Sequence, residues 1–155
     1  MNNKFLFFGS TVLIVLLLFL FVRIPVIYVS YSEGEFQLNE DSFEIYWIHS
    51  VEKEPWLETY EKRGDRLFLA KTRFKTFGAG TPSDGEIIPS NDGFVHMKID
   101  REVEVVDLIV SKNVETTLIT ESSEYHLYQL VEDYENVSIS INKLPLWQYL
   151  RGEIS

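Results

Sequence analysis

The 155-residue chain has no cysteine, which excludes disulfides, thiolate catalysis and cysteine-built zinc or iron–sulfur sites. Histidine is scarce: His49, His96 and His126 lie far apart, with no His-x-His or His-x-x-x-His spacing. No metal site and no cofactor are expected from such scattered ligands. The Gly-x-Ser-x-Gly turn of a nucleophile elbow is missing too. Charge is nearly absent from the first 32 residues, where Lys4 and Arg23 are the only ionised side chains. Net charge is −10 overall, and −12 once those two cations are set aside. A domain that acidic repels polyanions, so no nucleic-acid partner is expected.

What is present in the first segment is an apolar run. Residues 5–22 contain no charge, and only Gly9, Ser10 and Thr11 interrupt them. Eighteen residues at helical rise span about 27 Å, close to the hydrocarbon thickness of a bilayer. No small-x-small cleavage site follows, since the next residues are Arg23-Ile24-Pro25-Val26. The expectation is an uncleaved single-pass transmembrane helix. With Lys4 and the amino terminus on the cytoplasmic side, the rest of the chain lies outside. The expected organisation is residues 1–4 as cytoplasmic N-terminus, 5–22 as anchor, 23–37 as juxtamembrane linker and 38–155 as an extracytoplasmic β domain.

Beyond the linker the pattern alternates. Phe43, Ile45, Trp47, His49 and Val51 fall on one face of a strand, and Glu44, Tyr46, Ile48, Ser50 and Glu52 on the other. Pro55 breaks that strand, and residues 56–61 and 67–77 form a hairpin about Arg63-Gly64-Asp65. Lys71, Arg73 and Lys75 share a face of the return strand and would pair with Glu58 or Glu61. Shorter β-rich runs follow at 87–88, 94–99, 103–110, 115–120, 125–131 and 137–141, and residues 144–150 read as a short amphipathic helix or an edge strand. The expected fold is all-β, an antiparallel sandwich or barrel of about seven to nine strands.

Six residues are candidates for a ligand- or partner-binding site: His49, Ser50, Glu52, Glu58, Gly78 and Gly80. His49 on an apolar face has two readings. It is a ligand contact, a metal ligand or a general base oriented by Glu52 or Glu58, or it is a buried histidine satisfied by a backbone carbonyl or nearby hydroxyl. Strand alternation points Ser50 away from His49, so the two form no catalytic pair. Gly78-Ala79-Gly80-Thr81-Pro82 reads as a tight turn, or as a nest whose N–H groups receive an anion or carboxylate. It lacks the Gly-Lys-Ser/Thr ending of a phosphate loop.

These residues carry a resemblance. Trp47-Ile48-His49-Ser50-Val51-Glu52, the following Pro55 and Glu58-Thr59-Tyr60, and Phe77-Gly78-Ala79-Gly80-Thr81-Pro82 resemble the DUF1850 family of small bacterial proteins. The match is specific over roughly residues 35–85 and thin beyond. The resemblance implies an exported β domain behind a hydrophobic segment, and a non-enzymatic accessory role beside TAXI-type tripartite ATP-independent periplasmic (TRAP) transporters. A small-ligand or metal-binding sensor domain is the alternative, and a hydrolase the third reading.

Overall fold

The structure, a computed structural model, describes residues 3–151. Helix α1 (Asn3–Phe21) opens the chain, and its side chains are described from Phe7 onward. Among its described side chains the two hydroxyls are satisfied internally, Ser10 Oγ and Thr11 Oγ1 both donating to the Phe7 carbonyl. Among the described residues no helix is long and apolar enough to cross a membrane. A helix therefore stands where the anchor was expected, without a described apolar stretch of spanning length. Residues 1–2 and 152–155, assigned above to the cytoplasmic end and the β domain, lie outside the described residues.

Two antiparallel sheets follow. The smaller has the order β2-β1-β11-β8, built from β1 (Arg23–Tyr31), β2 (Gly34–Leu38), β8 (Val105–Ile109) and β11 (Asn136–Pro145). The larger runs β10-β9-β3-β4-β5-β7-β6. Its members are β3 (Ser42–Ile48), β4 (Pro55–Arg63), β5 (Arg66–Phe74), β6 (Glu86–Ile88), β7 (Val95–Val103), β9 (Thr117–Ile119) and β10 (Glu124–His126). Two short helices, α2 (Leu127–Leu130) and α3 (Leu146–Arg151), flank β11. The all-β class and antiparallel pairing agree with the sequence reading, and the described residues hold 11 strands rather than seven to nine.

The largest correction concerns residues 23–37. They are no linker: β1 is an interior strand, paired with β2 on one side and β11 on the other. Ile27 and Val29 are wholly buried in the core between the sheets, together with Phe43, Ile45, Leu118, Val137 and Ile139. Hydrophobic burial on that scale draws the strand directly from the end of α1 into the domain. Two further expectations change. Residues 125–131 divide into β10 and α2, with Leu127 buried in the core. The C-terminal segment read as a helix or an edge strand divides: residues 144–145 end β11, and residues 146–151 are helical.

A second, smaller cluster occupies the same face of the large sheet. The register sets Ile45 beside Glu58, and Trp47 beside Trp56, which pairs in turn with Phe74 and it with Val95. Trp56, Phe74 and Met97 form its buried part. Its cover includes chain from outside the sheets. Phe77 meets Phe74 edge-on at 5.2 Å, and a Cβ at Gly85 would lie 2.7 Å from Met97 Cε.

Candidate functional site

The residues singled out by sequence gather around this second cluster. β3 ends at Ile48, so His49 does not continue the strand. Residues 49–54 form a closed turn in which the His49 N–H donates to the Glu54 carbonyl at 2.8 Å and the Lys53 N–H to the His49 carbonyl at 2.9 Å. Lys53 takes a left-handed φ of 57° to close it. Strand alternation therefore stops before Ser50, which is exposed in the turn, as is Val51. Ser50 thus lies in a turn, not on the opposite face of a strand as the alternation implied.

His49 lies against Trp56, ring centroids 5.5 Å apart and planes nearly parallel. Trp56 also stacks on Trp47 at 5.8 Å and on Phe74 at 4.9 Å. On its other side His49 Nδ1 contacts Glu52 Oε2. The second oxygen of that carboxylate, Oε1, accepts the Ala79 N–H at 3.2 Å. The glycine loop is a tight turn, and one of its N–H groups, that of Ala79, meets the chain's own Glu52 carboxylate.

The turn geometry explains its glycines. Thr81 N–H donates to the Gly78 carbonyl at 3.3 Å, and Gly78 N–H to Thr81 Oγ1 at 2.9 Å. Gly80, third of the four residues, has φ of 80°, the conformation a type II turn requires there. Gly78 answers a different need, because a Cβ on it would stand 2.8 Å from the Glu52 carboxylate carbon. Thr76 Oγ1 adds a second tie by donating to Glu54 Oε2 at 2.5 Å. The space left among His49, Glu52, Glu54, Trp56, Phe74 and Lys75 is about 10 Å³. That is the lower limit of the volume that holds one water.

Glu58 does not join this group. It faces the same side of the sheet one strand step beyond Trp56, between Ile45 and Thr72, and accepts the Tyr60 hydroxyl at 2.6 Å. Burial raises its carboxyl above the ordinary 4.5, against the Tyr60 hydrogen bond and the Arg101 charge, which pull it down. The folded state then holds the proton more tightly than the unfolded one, so this group's ionisation subtracts stability as pH rises past 4.5. Tyr60 is pushed further from ionisation by its own burial and by Glu58. The expected cross-hairpin partners of the basic row also differ: Arg73 reaches past β4 to Glu44 on β3 at 2.6 Å, while Glu61 pairs with Arg63.

The sequence reading missed Trp56, the ring that joins His49 to the core, and the roles of Thr76, Ala79 and Thr81. Only Trp56 had a usable signal, the Trp47–Trp56 pairing that follows once Pro55 is placed opposite Ile48. The other histidines are engaged elsewhere, His96 with Asp92 at 2.9 Å and His126 with Thr117 at 3.3 Å. Among the described residues no group of three or more histidine or acidic side chains is placed to hold a metal ion. An open cleft of about 650 Å³ near α2, lined by Glu33, Lys112, Glu115, Tyr128, Gln129 and Glu132, contains none of the six candidate residues.

No curated protein and no solved structure matches the chain. A family model, described as a domain of unknown function (DUF1850), matches residues 43–127, from β3 through the start of α2. That span extends well past the glycine loop, so the likeness is not confined to the first half of the domain. It covers more than half of the sequence, and the chain belongs to the DUF1850 family.

Proposed function

We propose that the protein is a non-enzymatic accessory module, anchored in the membrane by α1 and holding its β domain on the extracytoplasmic side. The observation that carries this reading is the surface of α1. Val12, Leu13, Ile14, Val15, Leu16, Leu17, Leu18, Phe19, Leu20 and Phe21 are all exposed. A helix apolar all round finds its solvent in protein core or in lipid, and the β domain supplies no core for it. In the sequence the run continues on both sides, through Phe5, Leu6 and Val22, towards the length a bilayer needs. The Ser10 and Thr11 hydroxyls, bonded within the helix, suit that medium.

The accessory reading is supported by the state of the signature residues. Glu52 contacts His49 through one carboxylate oxygen and accepts the Ala79 N–H through the other, beside about 10 Å³ of space, an arrangement that fixes a surface loop. The rigid loop of residues 77–82 is the surface offered to a partner. The partner class implied by the family resemblance is a TAXI-type TRAP transporter subunit. Two steps on native membranes test this. The protein is expected to stay with the membrane through an alkaline carbonate wash, and capture after mild solubilisation is expected to recover a TRAP membrane subunit. Release by carbonate overturns the anchor; retention without a transporter subunit overturns the partner.

A further inference from the structure

We infer that α3 lies in the membrane–water interface and fixes the β domain against the bilayer surface, rather than leaving it on a flexible stalk. This rests on the reading of α1 as the anchor. The covalent path makes the first part of the case. α1 passes into β1 with one residue between them, Val22, and β11 runs back antiparallel along β1 until Pro145 stands opposite Arg23. α3 begins at the next residue, where the Leu146 N–H donates to the Val22 carbonyl at 3.0 Å. Its start is thereby held at the level of Arg23, the first charge past the apolar run. β11 points toward α1, and α3 continues beside it in contact.

The composition of α3 makes the second part. Its six residues include none that is buried, and Trp147, Tyr149 and Leu150 are all exposed, Leu150 by 61 %. A helix this short is not stable on its own in water, and it normally forms by burying an apolar face. Here the β domain leaves that face partly uncovered, with Trp147 and Tyr149 38 % and 40 % exposed. Arg151 lies over the Trp147 ring, its guanidinium carbon 5.6 Å from the centroid. Tryptophan, tyrosine and arginine beside a leucine, at the end of an apolar helix, match the headgroup level of a bilayer, where an aromatic ring meets lipid and its polar edge meets water. Occupancy by lipid follows from continuity: the medium that covers α1 also covers what α1 holds against its last turn.

The test uses the full-length protein in phosphatidylcholine vesicles, with flotation as the first reading. Vesicles carrying bromines at acyl positions 6 and 7 then report tryptophan contact with lipid. One of three tryptophans sits in α3, so the wild type is expected to lose about a third of its emission, and Trp147→Phe to lose at most about a tenth of that amount. Because the chain has no cysteine, Leu150→Cys accepts a single environment-sensitive dye, whose emission is expected to shift to the blue in vesicles at every protein density. Equal quenching of wild type and Trp147→Phe in protein that floats overturns the inference and leaves the anchor standing. A blue shift that grows with protein density assigns the face to a second copy and likewise overturns it. Protein that fails to float removes the anchor and the inference together.

Discussion

A chain beginning at Gly34 is expected not to fold, whereas a chain beginning at Arg23, without α1, is expected to show one cooperative thermal transition. The difference between the two is β1 and its turn. β1 holds the middle of the small sheet, with eight residues in register against β11 and five against β2. Removing it leaves β2 without a partner and exposes one whole edge of β11. It also removes Val26, Ile27 and Val29, none more than 3 % exposed. At about 1.5–3 kcal/mol for each buried side chain, these three alone approach the total stability of a typical domain, about 5–15 kcal/mol. Circular dichroism melts of both chains decide the matter. A cooperative transition in the chain that begins at Gly34 would return residues 23–33 to the status of a linker.

Trp56→Ala is expected to cost about 3–5 kcal/mol, the range for deleting a large buried aromatic. Trp56 is 6 % exposed and stacks on Trp47, Phe74 and His49, so its loss opens a cavity with three ring contacts facing it. The damage spreads to the surface, since His49 then has no platform and Glu52 loses the fixed partner that orients it toward Ala79. Trp56→Phe is expected to cost much less. The Trp56 Nε1 is buried without a hydrogen-bond partner among the described residues, so replacing the indole removes a polar group that gains nothing in the fold. Urea denaturation of the three proteins tests the order. Equal losses for alanine and phenylalanine would show that the indole itself, not aromatic packing, holds the cluster.

The parts of the fold that show in the sequence are those where one physical signal acts alone. Phe43, Ile45 and Trp47 alternate with polar or half-buried neighbours, and β3 is found with its correct inward face. The hairpin of β4 and β5 shows because Gly64 and Asp65 punctuate two regular runs. β1 was hidden by what precedes it. Ile24, Val26, Ile27 and Val29 extend the apolar run of α1, and an interior strand with apolar residues on both faces has no alternation to betray it. Pro25, which suggests a break, sits near the start of the strand, where its missing N–H is tolerated. α2 was lost for the opposite reason: four residues within a β-rich run carry no helical period.

The site was legible as a set of residues but not as an arrangement. His49, Glu52 and the loop of Gly78 and Gly80 do come together, while Ser50 faces solvent and Glu58 bonds to Tyr60. The turn of residues 49–54 that brings Glu52 against His49, closed by the positive φ at Lys53, leaves no mark on the sequence. Nor does a sequence tell a loop N–H that awaits a ligand from one bonded to the chain's own carboxylate.

That distinction is the centre of the account, and the Ala79 amide reads it directly. A charge-assisted hydrogen bond contributes about 1.5–3 kcal/mol when sheltered and less when half exposed, as here, so its loss speeds local opening roughly tenfold. Hydrogen exchange is measured at Ala79 in the wild type and in Glu52→Ala, with a core amide such as that of Ile45 as reference. The expected result is exchange about tenfold faster at Ala79 in the variant, with the Ile45 amide unchanged. Identical exchange at Ala79 in the two proteins would contradict the account, because the loop would then be held by something other than Glu52.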